Sequence, residues 1–75
     1  MMTRIVYLDG VRLKRLRVIK GFSQRALGAA ADVSPSTINL LEHRGKTEGF
    51  HPKTLVKLAD ALGVEPTELL GQDEV

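Results

Sequence analysis

Apolar residues fall into short blocks along this chain, each set off by glycine, proline or a capping residue. Arg4 to Leu8, RIVYL, is a β-branched and aromatic run that reads as a short strand or an ordered arm, too short to be stable alone. From Gly10 to Lys20 the placement of Leu13, Leu16 and Arg17 on one side predicts a helix, with Gly21 as its stop. Val18 and Ile19 lie off that stripe, either as scattered surface apolars or as part of a subunit contact. Residues 23–42, SQRALGAAADVSPSTINLLE, predict two more helices joined by a tight turn. Ala26, Leu27 and Ala30 form the inward stripe of the first. Ile38 and Leu41 mark the buried side of the second, which runs from Pro35 to His43 or Arg44 and leaves Ser36, Leu40 and His43 outward. In PKTLVKLADALG, the spacing of Leu55, Leu58, Ala59 and Leu62 predicts a fourth helix, opened by Pro52 and stopped by Gly63. Pro66 and Gly71 bound a fifth, with Glu68 near its N-terminus and Leu69-Leu70 at its end. The intervening loop from Gly45 to His51 is rich in glycine and charge, with Phe50 as its anchor. The expected fold is all-α with five compact helices: residues 1–9 form an arm or short strand, 10–71 the domain, and 72–75 an acidic tail.

The turn between the second and third helices is the most specific local feature. Ser23 and Ser34 are good N-caps, and Pro35 suits a first helical position, where its fixed φ and missing N–H cost nothing. Between them, Ala31-Asp32-Val33 leaves room only for a sharp bend. Asp32 is among the few residues besides glycine that tolerate a left-handed backbone, and Val33 plugs the corner. Two helices at this separation form the unit that pushes one helix into the DNA major groove.

Size and charge narrow the functional classes. With 75 residues the chain forms one domain, which buries about 60% of its unfolded surface and has modest stability unless subunits pair. Cysteine is absent, which removes disulfides and thiol chemistry and fits a cytoplasmic location. No apolar run approaches a membrane span, and the start lacks a secretory signal pattern. The net charge of +2 conceals an asymmetry: residues 1–31 hold seven basic and one acidic side chain, whereas residues 59–75 hold five acidic and no basic ones. A basic half joined to a helix-turn-helix pattern points to nucleic acid.

These segments resemble the lambda-repressor and Cro family of helix-turn-helix regulators, also called the xenobiotic-response-element type. The resemblance covers residues 11–70 and rests on LKRLR, GFSQRAL, VSPSTINLLE and HPKTLVKLADALGV in that order. It implies a lambda-repressor-like DNA-binding domain that reads double-stranded DNA as a homodimer. The outward residues of the recognition helix, Pro35, Ser36, Thr37, Asn39 and Leu40, are then the base contacts. Proline and Leu40 stand where many relatives are polar, so part of the specificity is expected to come from DNA shape. Gln24 is expected to hold a phosphate and buttress the recognition helix. Arg25, His43, Arg44, Lys46, His51 and Lys53 complete the phosphate set. Arg17 and Glu42 match a structural salt bridge between the first helix and the end of the recognition helix. Two departures are Gly28, where the pattern usually has alanine, and Asp32, where it usually has glycine.

The first functional reading is a dimeric transcription regulator, with repression favoured through steric occlusion. Its dimer surface is either the C-terminal Leu69, Leu70 and Val75 or the RIVYL arm. An alternative is an antitoxin-like module that binds a protein partner, supported by Leu40, Val18 and Ile19. An enzyme is poorly supported: His43 and His51 are separated by a glycine loop, the carboxylates are scattered, and no nucleophile paired with a base and no metal-ligand cluster is present.

Overall fold

The computed structural model describes residues 2–74. Strand β1 (Arg4–Asp9) is followed by helices α1 (Gly10–Ile19), α2 (Gln24–Ala31) and α3 (Pro35–Arg44). Then come a two-residue strand β2 (Lys46–Thr47), helix α4 (Pro52–Leu62), a 3₁₀ turn (Pro66–Leu69) and strand β3 (Leu70–Glu74). Two expectations are corrected. Among the described residues the fold is not all-α, and it has four α-helices where five were expected. The expected fifth helix shortens to a single 3₁₀ turn, opened by Glu68, whose carboxylate accepts from the Glu65 N–H at 2.8 Å. The chain then extends, and Gln72 to Glu74, expected as a tail, pair as a strand.

Strand order is β2-β1-β3, with both pairings antiparallel. Arg4 lies opposite Glu74 and Leu8 opposite Leu70, so the first and last strands zip together along their length. Gly71 faces Tyr7 in this register, and a Cβ there would meet the Tyr7 ring at 2.6 Å. Close approach by that ring, and not a helix stop, is what requires glycine at 71.

Helix α1 starts directly at the end of β1. The Asp9 carboxylate accepts from the Val11 and Arg12 N–H groups at 3.0 and 3.2 Å, an N-cap that makes the sheet-to-helix change abrupt. Gly10 lies flat against α3: a Cβ would overlap the Leu41 carbonyl oxygen and sit 2.9 Å from Leu41 C. Its N–H also donates to Gly45 O at 2.7 Å. Alanine normally gains about 1 kcal/mol over glycine within a helix. Backbone overlap overrides that gain here, because main chain cannot yield as a side chain can. Gly10→Ala is therefore expected to destabilise the domain by roughly 2 kcal/mol, within the range for overpacking. Thermal unfolding checks this, and an increased melting temperature would refute it.

Leu8, Leu13, Leu27, Ile38, Leu58 and Leu69 are fully buried, so β1, the four helices and the 3₁₀ turn each place a large side chain in one core. Leu55, Ala59 and Leu62 join them along the expected face of α4, and Phe50 packs at the edge. On α2 the inward stripe is Leu27, Gly28 and Ala31; Ala26 and Ala30 are exposed, contrary to expectation. Leu69 is wholly internal and therefore not a subunit contact, while Val75 lies outside the described residues. Among the described residues no helix is long and apolar enough to cross a membrane.

Candidate nucleic-acid interface

The bend that aims α3 is built by local chemistry. Ser23 Oγ accepts from the Ala26 N–H at 3.0 Å and opens α2. Asp32 closes it in the left-handed region at φ 55°, ψ 46°, the non-glycine residue expected to tolerate that conformation. The Val33 N–H turns back to Gly28 O at 3.0 Å. At Gly28 a Cβ would stand 2.6 Å from Val33 O and 3.2 Å from Pro35 Cγ. Glycine in place of the usual alanine thus accommodates a tight corner with proline packed behind it. Lys57 reaches from α4 to the same corner, with Nζ 3.5 Å from an Asp32 carboxylate oxygen.

Helix α3 opens with Ser34 Oγ accepting from the Thr37 N–H at 3.1 Å and bonding the Thr37 hydroxyl at 2.8 Å. Ile38 and Leu41 hold its inner side in the core. Ser36, Asn39, Leu40 and His43, spaced i, i+3, i+4 and i+7, share the exposed outer side. Of the five expected base contacts, the structure puts Ser36, Asn39 and Leu40 on this open face. Pro35 packs on Gly28 and Thr37 is tied to Ser34, so both serve the corner as well.

A polar chain fixes this helix to the body. Arg17 Nε donates to Glu42 Oε2 at 2.6 Å, Nη2 to Glu42 Oε1 at 2.9 Å, and Nη1 to the Phe22 carbonyl at 2.8 Å. Both side chains are nearly inaccessible, at 11% and 4% exposure. Hydrogen bonding to Glu42 raises the Arg17 pKa above the ordinary arginine value, against the opposing effect of burial. Gln24 Nε2 donates to Glu42 Oε1 at 3.1 Å, and Asn39 Nδ2 donates to Gln24 Oε1 at 3.3 Å. Core ion pair, second helix and outward face are therefore linked by successive bonds. Gln24 keeps one amide hydrogen free, and Asn39 keeps one hydrogen and its carbonyl oxygen.

The cations expected to grip phosphates divide. Arg25, Arg44 and Lys53 are exposed, and among the described residues no carboxylate pairs with them. His43 borders a polar hollow with Lys14, Arg17, Gln24, Asn39 and Glu42. His51 is the N-cap of α4, its Nδ1 accepting from the Lys53 N–H at 3.2 Å. Lys46 is committed elsewhere: it bonds Asp73 at 2.8 Å across the sheet and lies 5.0 Å from the Tyr7 ring centroid. That bond raises its pKa. Lys14 was missed by the sequence reading, although its place three residues before Arg17 on the same helix put it on the side facing Gln24.

The sequence profile of the helix-turn-helix family matches residues 13–69, from the middle of α1 through the 3₁₀ turn. This chain belongs to the Cro/C1-type helix-turn-helix family. The helix-turn-helix domain is 34% identical over 65 residues to the HTH-type transcriptional regulator RamB of two Mycobacterium tuberculosis strains. That match covers 87% of this chain but 13% of RamB, so the chain spans a small part of that relative's length. In structure it is similar to the restriction-modification controller protein C.AhdI from Aeromonas hydrophila, with 38% identity and a TM-score of 0.71. The similarity covers 80% of this chain and 88% of C.AhdI.

Proposed function

We propose that this helix-turn-helix domain is a sequence-specific double-stranded DNA-binding transcriptional regulator, acting as a dimeric repressor with α3 in the major groove. The observation that carries this reading is the exposed face of Ser36, Asn39 and Leu40, held rigid through Gln24 by the buried Arg17–Glu42 pair. A bound duplex needs such a face, because a helix that rocks cannot hold bidentate geometry. Asn39 retains the acceptor and donor that match an adenine edge. Leu40, 46% exposed, offers a surface for a thymine methyl. Pro35 and Thr37 set the approach of the helix N-terminus. Gln24, Arg25, His43, Arg44, His51 and Lys53 hold the flanking phosphates, joined by Lys14. The matched relatives are named as a transcriptional regulator and a controller protein, which supports the regulatory role.

Selection of bound sequences from random duplex DNA at a fixed salt concentration tests the proposal. The expected result is an enriched two-fold symmetric site. Asn39→Ala should weaken binding to it by about 1–3 kcal/mol and relax preference at one base pair in each half. Recovery of unselected sequences would remove direct readout. A protein partner is the second reading, favoured by the apolar strip of Val11, Val18 and Ile19 on α1, each more than half exposed.

A further inference from the structure

The two edges of the sheet differ. One edge is β2, two residues long; the other is β3, five residues whose outer side faces no other strand among the described residues. We infer that β3 pairs antiparallel with β3 of a second copy, centred on Gln72, to make one six-stranded sheet. This rests on the dimeric reading above and names its interface.

Hydrogen-bond parity shows which groups of β3 are free. The Gly10 N–H donates to Gly45 O, and Leu8 lies opposite Thr47, so the even residues of β1 bond toward β2. Tyr7 and Ile5 then bond toward β3, and their partners Gly71 and Asp73 bond back. That leaves the backbone groups of Gln72 and Glu74 and the carbonyl of Leu70 turned to the open side. The Leu70 N–H is already occupied, donating to Thr67 O. A two-fold axis at Gln72 matches this set. Each Gln72 N–H meets the Gln72 carbonyl of the second copy, and each Glu74 N–H meets a Leu70 carbonyl.

Charge selects this register. Centred on Gln72, Asp73 lies opposite Gly71 and Glu74 opposite Leu70, so no carboxylate faces another. Both carboxylates are also neutralised within their own subunit, Asp73 by Lys46 at 2.8 Å and Glu74 by Arg4 at 3.9 Å. A shift that centred the axis on Asp73 would set the two Asp73 side chains directly opposite across a close, non-hydrogen-bonded pair, which is destabilising. Glu74 also projects on the Leu70 side of the sheet, where a hollow lined by Val6, Arg12, Thr67 and Leu70 runs along β3. Arg12 has only a 3.5 Å contact with Asp9 and is more than half exposed, so it is available to a carboxylate from the second copy.

Gln72→Pro tests the interface, because proline at 72 removes an N–H that points outward and none that β1 uses. Sedimentation equilibrium of the DNA-free chain is expected to give a mass of twice 8.2 kDa for the native protein. For the variant the dimer dissociation constant should rise roughly thirtyfold or more, with unchanged far-ultraviolet circular dichroism. Amide exchange on the native chain supplies a readout that needs no substitution. In the dimer the Gln72 and Glu74 N–H groups should be protected, and dilution should remove that protection while the Gly71 and Asp73 groups stay protected. A dimer in which the Gln72 and Glu74 amides exchange freely overturns the inference, as does a native chain that is monomeric at every concentration. A monomeric native or variant chain that still binds duplex DNA at low salt separates failure of this interface from failure of the DNA-binding proposal.

Discussion

Glu42→Ala should unfold the domain before it alters any preference for DNA. Arg17 would stay buried with its Phe22 carbonyl bond but without its counter-charge. Breaking one partner of a buried pair costs about 3–5 kcal/mol, much of the whole stability of a domain this small. Urea denaturation with a circular dichroism readout is the measurement. Replacing both partners, as in the double substitution R17M and E42L, should recover most of the loss, because no buried charge then remains. A Glu42→Ala protein as stable as the native chain would show that the pair contributes nothing. The pH dependence has a defined sign. Arg17 binds its proton more tightly when folded, so its contribution is complete below the ordinary arginine pKa and is lost only as pH rises through the higher folded value. No weakening from this group is expected between neutral and moderately alkaline pH.

Raising salt from 50 to 200 mM should weaken duplex binding by about four orders of magnitude. The estimate assumes that a dimer neutralises roughly eight phosphates, giving a slope of log K against log salt near −7. Arg25, Arg44 and Lys53, none paired with a carboxylate among the described residues, supply three contacts per subunit. Lys14, exposed beside Gln24, supplies a fourth. Lys46→Ala should leave the slope almost unchanged, because Asp73 already holds that ammonium. Titration by fluorescence anisotropy at several ionic strengths checks both statements. A slope near zero would remove the phosphate set, and a slope reduced by about two in the Lys46→Ala dimer would return Lys46 to it.

The legible parts of this chain were those written in local chemistry. Ser23, Ser34-Pro35, Asp32 and Gly63 each act within a turn or two, and each sits where its capping or backbone preference places it. The α4 stripe was equally readable, because leucines contrast with lysines and aspartate around the helix. On α2 the contrast fails: alanines and glycine look alike on every side, so the inward stripe was misplaced by one residue toward Ala26 and Ala30. The sheet was hidden for a different reason. LGQDE has neither alternation nor β-branched residues, and Pro66 with Glu68 signals a helix start that stops after one turn. Pairing with β1, far away in sequence, decides its conformation. The Lys46–Asp73 pair was hidden for the same reason, since Asp73 belongs to that strand. The Arg17–Glu42 link was visible only through the family resemblance, because twenty-five positions separate the two residues.

Because β1 lies between β2 and β3, a strand made early waits for one made more than sixty residues later. On the ribosome, the helices can begin to associate as soon as they are clear of the exit tunnel, but Tyr7 and Leu8 keep an uncovered side until residues 70–74 have emerged. During translation this leaves a hydrophobic ribbon open to chaperones or to neighbouring nascent chains, and the interval closes only with the final pairing.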